Sequence, residues 1–324
     1  MAWLFCGKCT SNARLDDKVA VITGCNTGIG KITAMEFCKR GARVIMACRN
    51  LEKAKTAIVV KELNLASLKS IRQCAEDILA SEEYIHLLVN NAGVMMCPRE
   101  LTEDGHELQF GTNHLGHFLF TMLLLPRIIK SAPARIVNLS SLAHTWGDGD
   151  MHFDDITLEK SYSPVAAYGR SKLANILFTN ELAKRLQGTG VTTYSVHPGV
   201  IDTELSRHLD TAISPIVRRL YQSRLCTMFQ KSPWQGAQTT LHCSLDEKAG
   251  KENGLYYRAG TYQELRAESK DPHYFRCNPQ LLKLNGNFYF EFFDLYRAPS
   301  KHVENVNILC FSISSNMLVT ILLA

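Results

Sequence analysis

A glycine-rich turn follows the first apolar run of the chain, and it limits the folds that the chain can adopt. Lys18–Thr23 leads without a break into Thr23-Gly24-Cys25-Asn26-Thr27-Gly28-Ile29-Gly30. Such a turn, between a strand and a helix, lets backbone N–H groups approach a pyrophosphate at the helix N-terminus. It therefore predicts a dinucleotide site. The turn residues expected to contact the dinucleotide are Thr23, Gly24, Asn26, Thr27, Gly28, Ile29 and Gly30.

Beyond this turn, short β-branched runs alternate with helical stretches, among them Gly30–Arg40, which is closed by Gly41. Several of the runs are continuously apolar, as expected for strands that are buried on both faces of a parallel sheet. We predict an α/β fold, a doubly wound, mostly parallel sheet of about seven strands (Rossmann-type) with helices on both faces. The candidate strands are Lys18–Thr23, Arg43–Cys48, Ile58–Leu63, His86–Asn90, Arg135–Leu139, Val191–Val196 and Gly254–Tyr257.

One crossover in this pattern is short. Only Asn50–Ala57 separates the second candidate strand from the third, whereas parallel strands usually need a dozen or more connecting residues. We therefore expect either a stunted helix or a distorted sheet at this place.

Composition and charge exclude several classes of protein. Of the 324 residues, 46% are hydrophobic and 21% are charged, unlike a disordered, collagenous or coiled-coil chain. The net charge is +5 without a long basic run, so no nucleic-acid partner is predicted. Eleven irregularly spaced cysteines indicate reduced thiols in a cytosol-facing compartment. No metal site is predicted, because His114, His117 and His144 have no carboxylate or cysteine partners in a ligand arrangement.

Both ends of the chain differ from its body. We expect residues 1–17 to be a mobile extension in which the C-x-x-C sequence Cys6–Cys9 carries free thiols. The last nineteen residues, Val306–Ala324, carry no charge and would span about 28 Å as a helix. Two interpretations of this stretch stay open, a weak membrane anchor and a packed or disordered tail. These limits leave a body at 18–260 and a divergent tail at 261–324.

Tyr168 and Lys172 are four positions apart and so lie on one face of a helix. A nearby ammonium favours the phenolate and lowers the pKa of a tyrosine, which makes the phenol a usable general acid and base near neutral pH. Ser140 and Ser141 follow the candidate strand Arg135–Leu139, and sites form at such strand ends. The tyrosine, the lysine and the serine pair therefore predict a catalytic centre.

Together these residues resemble the short-chain dehydrogenase/reductase family, and the resemblance extends from about Lys18 to Tyr257. It implies a nicotinamide cofactor and hydride transfer between C4 of the nicotinamide and a carbonyl carbon. Further stretches that are similar to motifs of the family are Asn90-Asn91-Ala92-Gly93, Thr112-Asn113-His114-Leu115-Gly116-His117, and His197-Pro198-Gly199-Val200 followed by Thr203.

The resemblance also implies roles for single residues. Tyr168 exchanges a proton with the substrate oxygen, and Lys172 lowers its pKa and holds the nicotinamide ribose, so that both also contact the cofactor. Ser141, the second serine of its pair, orients the carbonyl, and Asn113 supports a relay of water and lysine. Other cofactor contacts that the resemblance implies are Asn64, Leu65, Asn91, Ala92, Gly93, Pro198, Gly199, Val200 and Thr203.

The end of the second candidate strand favours NADP over NAD. In NAD-binding folds an acidic residue about twenty positions after the turn holds the ribose 2′-hydroxyl. Cys48 occupies that position here, and Arg49 follows it. Because no carboxylate repels a 2′-phosphate, Arg49 can pair with it in a bidentate way, and Lys31 can assist. We therefore expect NADP(H), with Arg49 among its contacts.

Within the family, several phrases are similar to those of the microsomal retinol dehydrogenases, and so is the long segment Leu142–Ala167. This likeness implies a small apolar carbonyl or alcohol substrate, such as retinal or a lipid peroxidation product, and association with the endoplasmic reticulum membrane. A steroid or xenobiotic carbonyl reductase with the same mechanism is an alternative. A catalytically silent binding protein is another, because the short crossover Asn50–Ala57 and Asn64, which stands where relatives usually have an aspartate, would weaken the cofactor site. The phrases are Asn26–Lys31, Ala47–Arg49, Asn113–Phe118, Ser140–His144 and Ser171–Asn175.

Three stretches suggest contacts with partners. Residues 205–245 are expected to form a substrate lid, because they are rich in apolar side chains and follow the motif His197–Val200, which the resemblance places near the nicotinamide. The alternative is a helix that packs on the body of the fold. Arg218, Arg219 and Arg224 suit either a membrane surface or solvent. Four apolar residues continue the predicted helix that carries Tyr168. A helix contact in a homodimer and burial in the core explain them equally well. They are Leu173, Ile176, Leu177 and Leu182.

Overall fold

The computed structural model describes residues 7–49, 59–146, 151, 155–201, 205, 230–258, 266–267, 309–313 and 317–321. The chain divides into two compact units, Met1–Phe275 and Arg276–Ala324. The first unit holds one sheet of eight strands. The strands are β1 (Val19–Thr23), β2 (Arg43–Cys48), β3 (Val59–Glu62), β4 (Leu87–Asn90), β5 (Ala134–Leu139), β6 (Val191–His197), β7 (Leu255–Arg258) and β8 (Arg266–Ala267).

The strands lie in the order β3-β2-β1-β4-β5-β6-β7-β8. The first seven pair in parallel, and β8 pairs with β7 in the antiparallel sense. This confirms the predicted doubly wound, mostly parallel sheet, and the candidate strands differ from the observed ones by one residue or less at each end. The order reverses between β1 and β4, so the loops that follow these strands diverge and leave a crevice at their carboxyl ends.

The helices begin and end at residues with clear local signals. Ser163 caps the longest helix with its hydroxyl, and Pro164 follows at the first helical position. Ser232 and Gln235 form a capping box at the start of another helix. Gly41, with a φ of 97°, follows the first helix. The long helices are α1 (Gly28–Lys39), α2 (Leu68–Ser81), α3 (Gly116–Lys130), α4 (Pro164–Arg185) and α5 (Pro233–Leu245).

Both faces of the central strands are buried. Ala20 and Ile22 of β1 join an apolar cluster with Phe37 of α1 and Leu241 of α5. Val21 lies between them in sequence, points to the opposite face and is also fully buried. Burial on both faces is the physical reason that these strands are continuously apolar rather than alternating.

The N-terminal extension is packed over its described part, which corrects the expectation of a mobile end at residues 1–17. The Cys9 N–H donates to Gln238 Oε1 at 3.1 Å, and the Ser11 hydroxyl donates to the last backbone oxygen of α5 at 3.1 Å. Cys9 and Leu15 are buried in the apolar cluster between α1 and α5. Burial also raises the pKa of the Cys9 thiol, so this cysteine is a packed apolar group.

Residues 233–245, which fall within the predicted lid, form α5 and belong to the body of the fold. This helix contacts α1, β5 and β6. Ala237, Leu241 and Cys243 on it are buried in the apolar cluster. The alternative of a helix that packs on the body is therefore correct from Pro233 onward. The apolar stretch 206–229 with its three arginines, Thr203 and the short crossover at 50–57 lie outside the described residues.

The apolar stripe on α4 is part of the core. Leu173, Ile176, Leu177 and Leu182 are buried within the chain itself. The prediction that these residues belong to the core is confirmed. The homodimer stays a prediction, and these buried residues give it no support.

The described residues of the second unit form an antiparallel strand pair, β9 (Leu309–Ile313) with β10 (Met317–Ile321). These residues of the charge-free tail are extended, and the membrane anchor stays a prediction. Among the residues that the structure describes, no helix combines the length and the apolarity that crossing a bilayer requires.

Substitution of Leu15 tests the packing of the extension. Leu15→Ala is expected to lower the free energy of unfolding by about 2–3 kcal/mol, because it removes a buried side chain from the α1–α5 cluster. Urea unfolding followed by circular dichroism measures the change. The exposed neighbour Asn12 provides the control, and Asn12→Ala should change the value by less than about 0.5 kcal/mol. Equal, small effects of both substitutions would contradict the packed extension.

Candidate active site

The glycine-rich turn packs against the loop after β4 so closely that side chains do not fit. Gly24 has a φ of 62°, and a Cβ atom at this position would lie 2.7 Å from Ala92 Cα. A Cβ atom on Gly30 would lie 2.6 Å from the Gly24 backbone oxygen and 2.5 Å from Asn91 Nδ2. Only glycine therefore lets the turn pack this closely against the loop after β4.

The N-terminus of α1 provides a site for an anion. Thr27 is the N-cap residue, but its side chain makes no capping hydrogen bond, and the first turn holds no acidic residue. The first N–H groups of the helix therefore lack a side-chain acceptor. These N–H groups and the helix dipole together favour a phosphate group at this end.

The Thr23 hydroxyl joins the two loops that border the crevice. Its Oγ1 accepts hydrogen bonds from the N–H groups of Asn91, at 2.9 Å, and Ala92, at 3.0 Å. In return, Asn91 Nδ2 donates to the backbone oxygens of Thr23 and Gly24, both at 2.9 Å. The loop after β4 is thus held in register with the glycine-rich turn.

His117 extends this contact to the backbone of Asn113. Its Nε2 lies 2.9 Å from Thr23 Oγ1, and its Nδ1 lies 3.0 Å from the Asn113 backbone oxygen. Because Thr23 Oγ1 already accepts two N–H bonds, the Thr23 hydroxyl donates to His117 Nε2, and the ring proton is on Nδ1. Burial lowers the pKa of His117 to about 3, so the ring is neutral.

Asn113 lies in a π-helical turn, Gly111–Leu115, directly before α3. Its Nδ2 donates to the Val94 backbone oxygen at 2.9 Å and to Ser171 Oγ at 3.0 Å, while its Oδ1 accepts from the Val94 N–H at 2.8 Å. Asn175 Nδ2 donates to the Asn113 backbone oxygen at 3.1 Å. Asn113 therefore ties the Gly93–Val94 loop to α4, the helix that carries the predicted catalytic pair.

Tyr168, Ser141 and Lys172 meet at the end of β5. The side chains of Tyr168 and Ser141 are hydrogen-bonded to each other. Lys172 Nζ lies 5.5 Å from the centre of the Tyr168 ring and donates to the Leu139 backbone oxygen at 3.2 Å. The Ser140 hydroxyl instead donates to the Lys172 backbone oxygen at 2.8 Å. Of the two serines, Ser141 is therefore the one that faces the tyrosine.

Burial shifts the pKa values of the tyrosine and the lysine. It raises the pKa of Tyr168, against the opposing effect of the hydrogen bond with Ser141. It lowers the pKa of Lys172 to about 8. The expectation that the ammonium lowers the pKa of Tyr168 is therefore not met in the protein alone, because desolvation of the buried phenolate is the larger effect. Near neutral pH, Tyr168 is a neutral phenol.

One cavity of about 1110 Å³ joins the glycine-rich turn to these three side chains. Thr23, Gly30 and Asn113 are buried behind its wall, where they hold lining residues in place. The predicted residues that line the cavity are Gly24, Asn26, Thr27, Gly28, Ile29, Arg49, Asn64, Leu65, Asn91, Ala92, Gly93, Ser141, Tyr168, Lys172, Pro198, Gly199 and Val200.

A largely apolar part of the wall was not predicted. Met95, Met96 and Cys97 follow the Asn90–Gly93 motif, and this adjacency was the available signal. His197 belongs to a predicted motif but was given no role; it accepts from the Leu142 N–H at 3.2 Å, and burial lowers its pKa to about 4. The lining residues outside every predicted stretch include Met95, Met96, Cys97, Leu108 and Ile201, whereas Leu142, Trp146, His197 and Leu205 lie in stretches that the sequence singled out without a contact being assigned to them.

The far end of the cavity lies at β2 and β3. Arg49 follows β2 directly, lines the cavity and is exposed. Asn64 Oδ1 accepts from the Ala66 N–H at 3.1 Å, and the Asn64 N–H donates to Ser70 Oγ at 2.9 Å. An aspartate oxygen would accept the same bond from Ala66. The Asn64 amide therefore makes the same turn as an aspartate would, and the cavity carries one negative charge fewer than it would with an aspartate.

The family model described as short chain dehydrogenase matches residues 18–153 and 155–213. The chain belongs to the short-chain dehydrogenases. It is 52% identical over 263 residues to retinol dehydrogenase 11 of Mus musculus, covering 78% of this chain and 80% of that protein. The identity and both coverages are the same for retinol dehydrogenase 12 of Homo sapiens. The family and these relatives show that the protein is an oxidoreductase of the retinol dehydrogenase-like type.

A solved structure supports the same assignment at the level of the fold. A putative uncharacterized protein from Mycobacterium paratuberculosis is 30% identical, with a TM-score of 0.67. The match covers 89% of this chain and 98% of that one. The two chains thus share one fold over most of their length.

The buried lysine of this short-chain dehydrogenase predicts a pH dependence of stability. The pKa of Lys172 is lowered from 10.5 to about 8, so between these values the unfolded chain holds a proton that the folded protein has released. Stability should therefore rise with pH in this window, by up to about 1.4 kcal/mol per pH unit, relative to Lys172→Met. Urea unfolding of both proteins at pH 8 and pH 10 measures the difference. The same pH dependence in both proteins would contradict the shifted lysine.

Proposed function

We propose that the protein is an NADP(H)-dependent oxidoreductase that interconverts an apolar, retinol-like alcohol with its aldehyde or ketone. The proposal is carried by one observation, that Ser141, Tyr168 and Lys172 share a single cavity with an uncapped helix N-terminus behind a glycine-rich turn. Its relatives are named retinol dehydrogenases, which is the second line of support.

The residues of the turn fit a dinucleotide. The close packing of Gly24 and Gly30 against the loop after β4 fixes the turn, and Gly24, Asn26, Thr27 and Gly28 line the cavity where a pyrophosphate would approach the backbone N–H groups of α1. Asn91, Ala92 and Gly93 border the next part of the cavity, and Lys172 and Tyr168 its catalytic end. When bound there, the nicotinamide supplies or accepts the hydride.

The preference for NADP over NAD rests on the charge at the end of β2. Arg49 lines the cavity and is exposed, so its guanidinium is available for a bidentate contact with a 2′-phosphate. The preceding residue, Cys48, is neutral in place of the carboxylate that would bind a ribose 2′-hydroxyl and repel the phosphate.

Tyr168 acts as the general acid in reduction and as the general base in oxidation. As a neutral phenol hydrogen-bonded to Ser141, it is ready to donate its proton to a substrate oxygen. The Ser141 hydroxyl orients that oxygen and stabilises the phenolate that results. Lys172 lies close enough to attract the phenolate when its amine is protonated, which offsets part of the cost of burying that charge.

The wall around the catalytic end suits an apolar substrate. Met95, Met96 and Leu142 contribute apolar side chains, and Trp146 and Leu205 extend this surface. A predominantly apolar cavity with a few placed polar groups is the usual form of a small-molecule site. Ser141 and Tyr168 would supply the hydrogen bonds to the substrate's alcohol or carbonyl group.

The cofactor preference is tested by titrating the full-length protein with NADPH and with NADH while following fluorescence. We expect tighter binding of NADPH, and Arg49→Ala should weaken NADPH binding about tenfold or more while changing NADH little, because it removes a charge-assisted contact. Arg14→Ala is the matched control, since Arg14 is an exposed arginine paired with Asp16 away from the cavity. Equal affinities for the two cofactors would overturn the preference.

The proton transfer is tested with Tyr168→Phe. This variant should lower kcat for retinal reduction by a factor of about 10²–10⁴, because it removes the general acid, and should leave the Kd for NADPH nearly unchanged. The exposed Tyr84 offers a control, Tyr84→Phe, with normal turnover. Retained turnover in Tyr168→Phe would remove the tyrosine from the mechanism.

A further inference from the structure

A short stretch after the loop of β4 forms one wall of the cavity. Met95, Met96 and Cys97 all line it. Val94, just before them, donates a hydrogen bond to Asn113, which in turn donates to Ser171 on α4. The wall therefore begins beside α4, the helix that carries Tyr168 and Lys172. The stretch thus borders the catalytic end of the cavity rather than the end near β2.

The backbone of this wall is held in an unusual conformation. Met96 has a φ of 52°, in the left-handed region that side chains other than glycine rarely adopt. Such a conformation persists only where the surrounding structure determines it, and these positions cluster at ligand sites. The contacts that hold Met96 therefore set the shape of the cavity wall.

Gln109 provides the first of these contacts. Its Oε1 accepts from the Met96 N–H at 2.7 Å, and its Nε2 donates to the Tyr162 hydroxyl at 2.9 Å and to the Pro164 backbone oxygen at 3.0 Å. Because the Met96 N–H is only a donor, the amide has one orientation that satisfies all its partners. Gln109 is fully buried and does not line the cavity.

Tyr162 provides the second contact. Its hydroxyl accepts from Gln109 and donates to the Cys97 backbone oxygen at 2.8 Å. A parallel link joins the two segments further along, where Arg99 Nε donates to the Leu158 backbone oxygen at 3.1 Å. The long segment before Tyr168 thus holds the wall from behind.

We propose that Gln109 and Tyr162 are positioning residues that determine substrate specificity by fixing the Met95–Cys97 wall for an extended apolar chain. This inference rests on the proposed function. A rigid wall lets each additional methylene group of a substrate pack against a preformed surface. A loosened wall must be ordered on binding, so each methylene group adds less to the binding free energy. Neither side chain lines the cavity, so both act through the backbone of Met96 and Cys97.

Two conservative substitutions separate the hydrogen bonds from the packing. Tyr162→Phe removes the hydroxyl that links Gln109 to the Cys97 oxygen, together with its weaker 3.5 Å contact with Glu107 Oε1. Gln109→Glu keeps an acceptor for the Met96 N–H but loses the amide hydrogens that bind Tyr162 and Pro164. Tyr84→Phe is the control for loss of a tyrosine hydroxyl, because Tyr84 is exposed and distant from the wall in sequence and contacts.

The experiment compares dodecanal with butanal as substrates of the full-length protein with NADPH. In both wall variants we expect the ratio of kcat/KM for dodecanal to that for butanal to fall about fivefold, the effect of losing one net hydrogen bond. The fall should come from a higher KM for dodecanal, with kcat and the Kd for NADPH close to those of the wild type. Gln109→Glu should also lower Tm, because it buries a second carboxyl group beside Glu107, whereas Tyr162→Phe should keep a Tm close to that of the wild type. Tyr84→Phe should keep the wild-type ratio.

Other outcomes overturn the inference. An unchanged ratio in both variants would do so, and so would an equal loss with both aldehydes, which indicates a purely structural role. Calorimetric binding of dodecanol and butanol to the NADPH complex provides the same ratio without turnover. If the wild type oxidises no NADPH with either aldehyde, the proposed function fails, and the ratio of the two Kd values then decides the inference by itself.

Discussion

The Thr23 hydroxyl holds together the parts of the site that come from different regions of the chain. Its oxygen accepts from the loop after β4, and its proton is donated to His117, which in turn donates to the Asn113 backbone oxygen. Asn175 Nδ2 donates both to that Asn113 oxygen and to the Leu139 backbone oxygen, which also accepts a hydrogen bond from Lys172 Nζ. A buried hydroxyl with every hydrogen-bonding position used thus connects the glycine-rich turn to Lys172.

The catalytic end combines this polar network with apolar surroundings. Burial raises the pKa of Tyr168, which keeps the phenol neutral, and lowers the pKa of Lys172 to about 8. The hydrogen bond with Ser141 opposes the effect of burial on the tyrosine. The same exclusion of water that shifts these pKa values also makes the cavity suitable for an apolar substrate.

Much of the fold and the centre of the site follow from local patterns in the sequence. The buried strands, the glycine-rich turn and the spacing of Tyr168 and Lys172 are short-range features, and the structure has the strands within one residue of the expected ends. Contacts between distant residues could not be predicted in this way. Cys9 is hydrogen-bonded to Gln238, 229 positions away. Gln109 accepts a hydrogen bond from the backbone of Met96, whose left-handed conformation no sequence motif predicts. The sign of the pKa shift of Tyr168 depends on burial, which the four-residue spacing does not reveal.

In the proposed mechanism a hydride passes directly between the cofactor and an apolar carbonyl compound in this cavity. Reduction of retinal with NADPH that carries deuterium at both C4 positions, followed by mass spectrometry of the product, follows the hydride itself. We expect retinol that contains one deuterium atom at the former carbonyl carbon. Retinol without deuterium, or no retinol from a folded protein that binds NADPH, would contradict this mechanism.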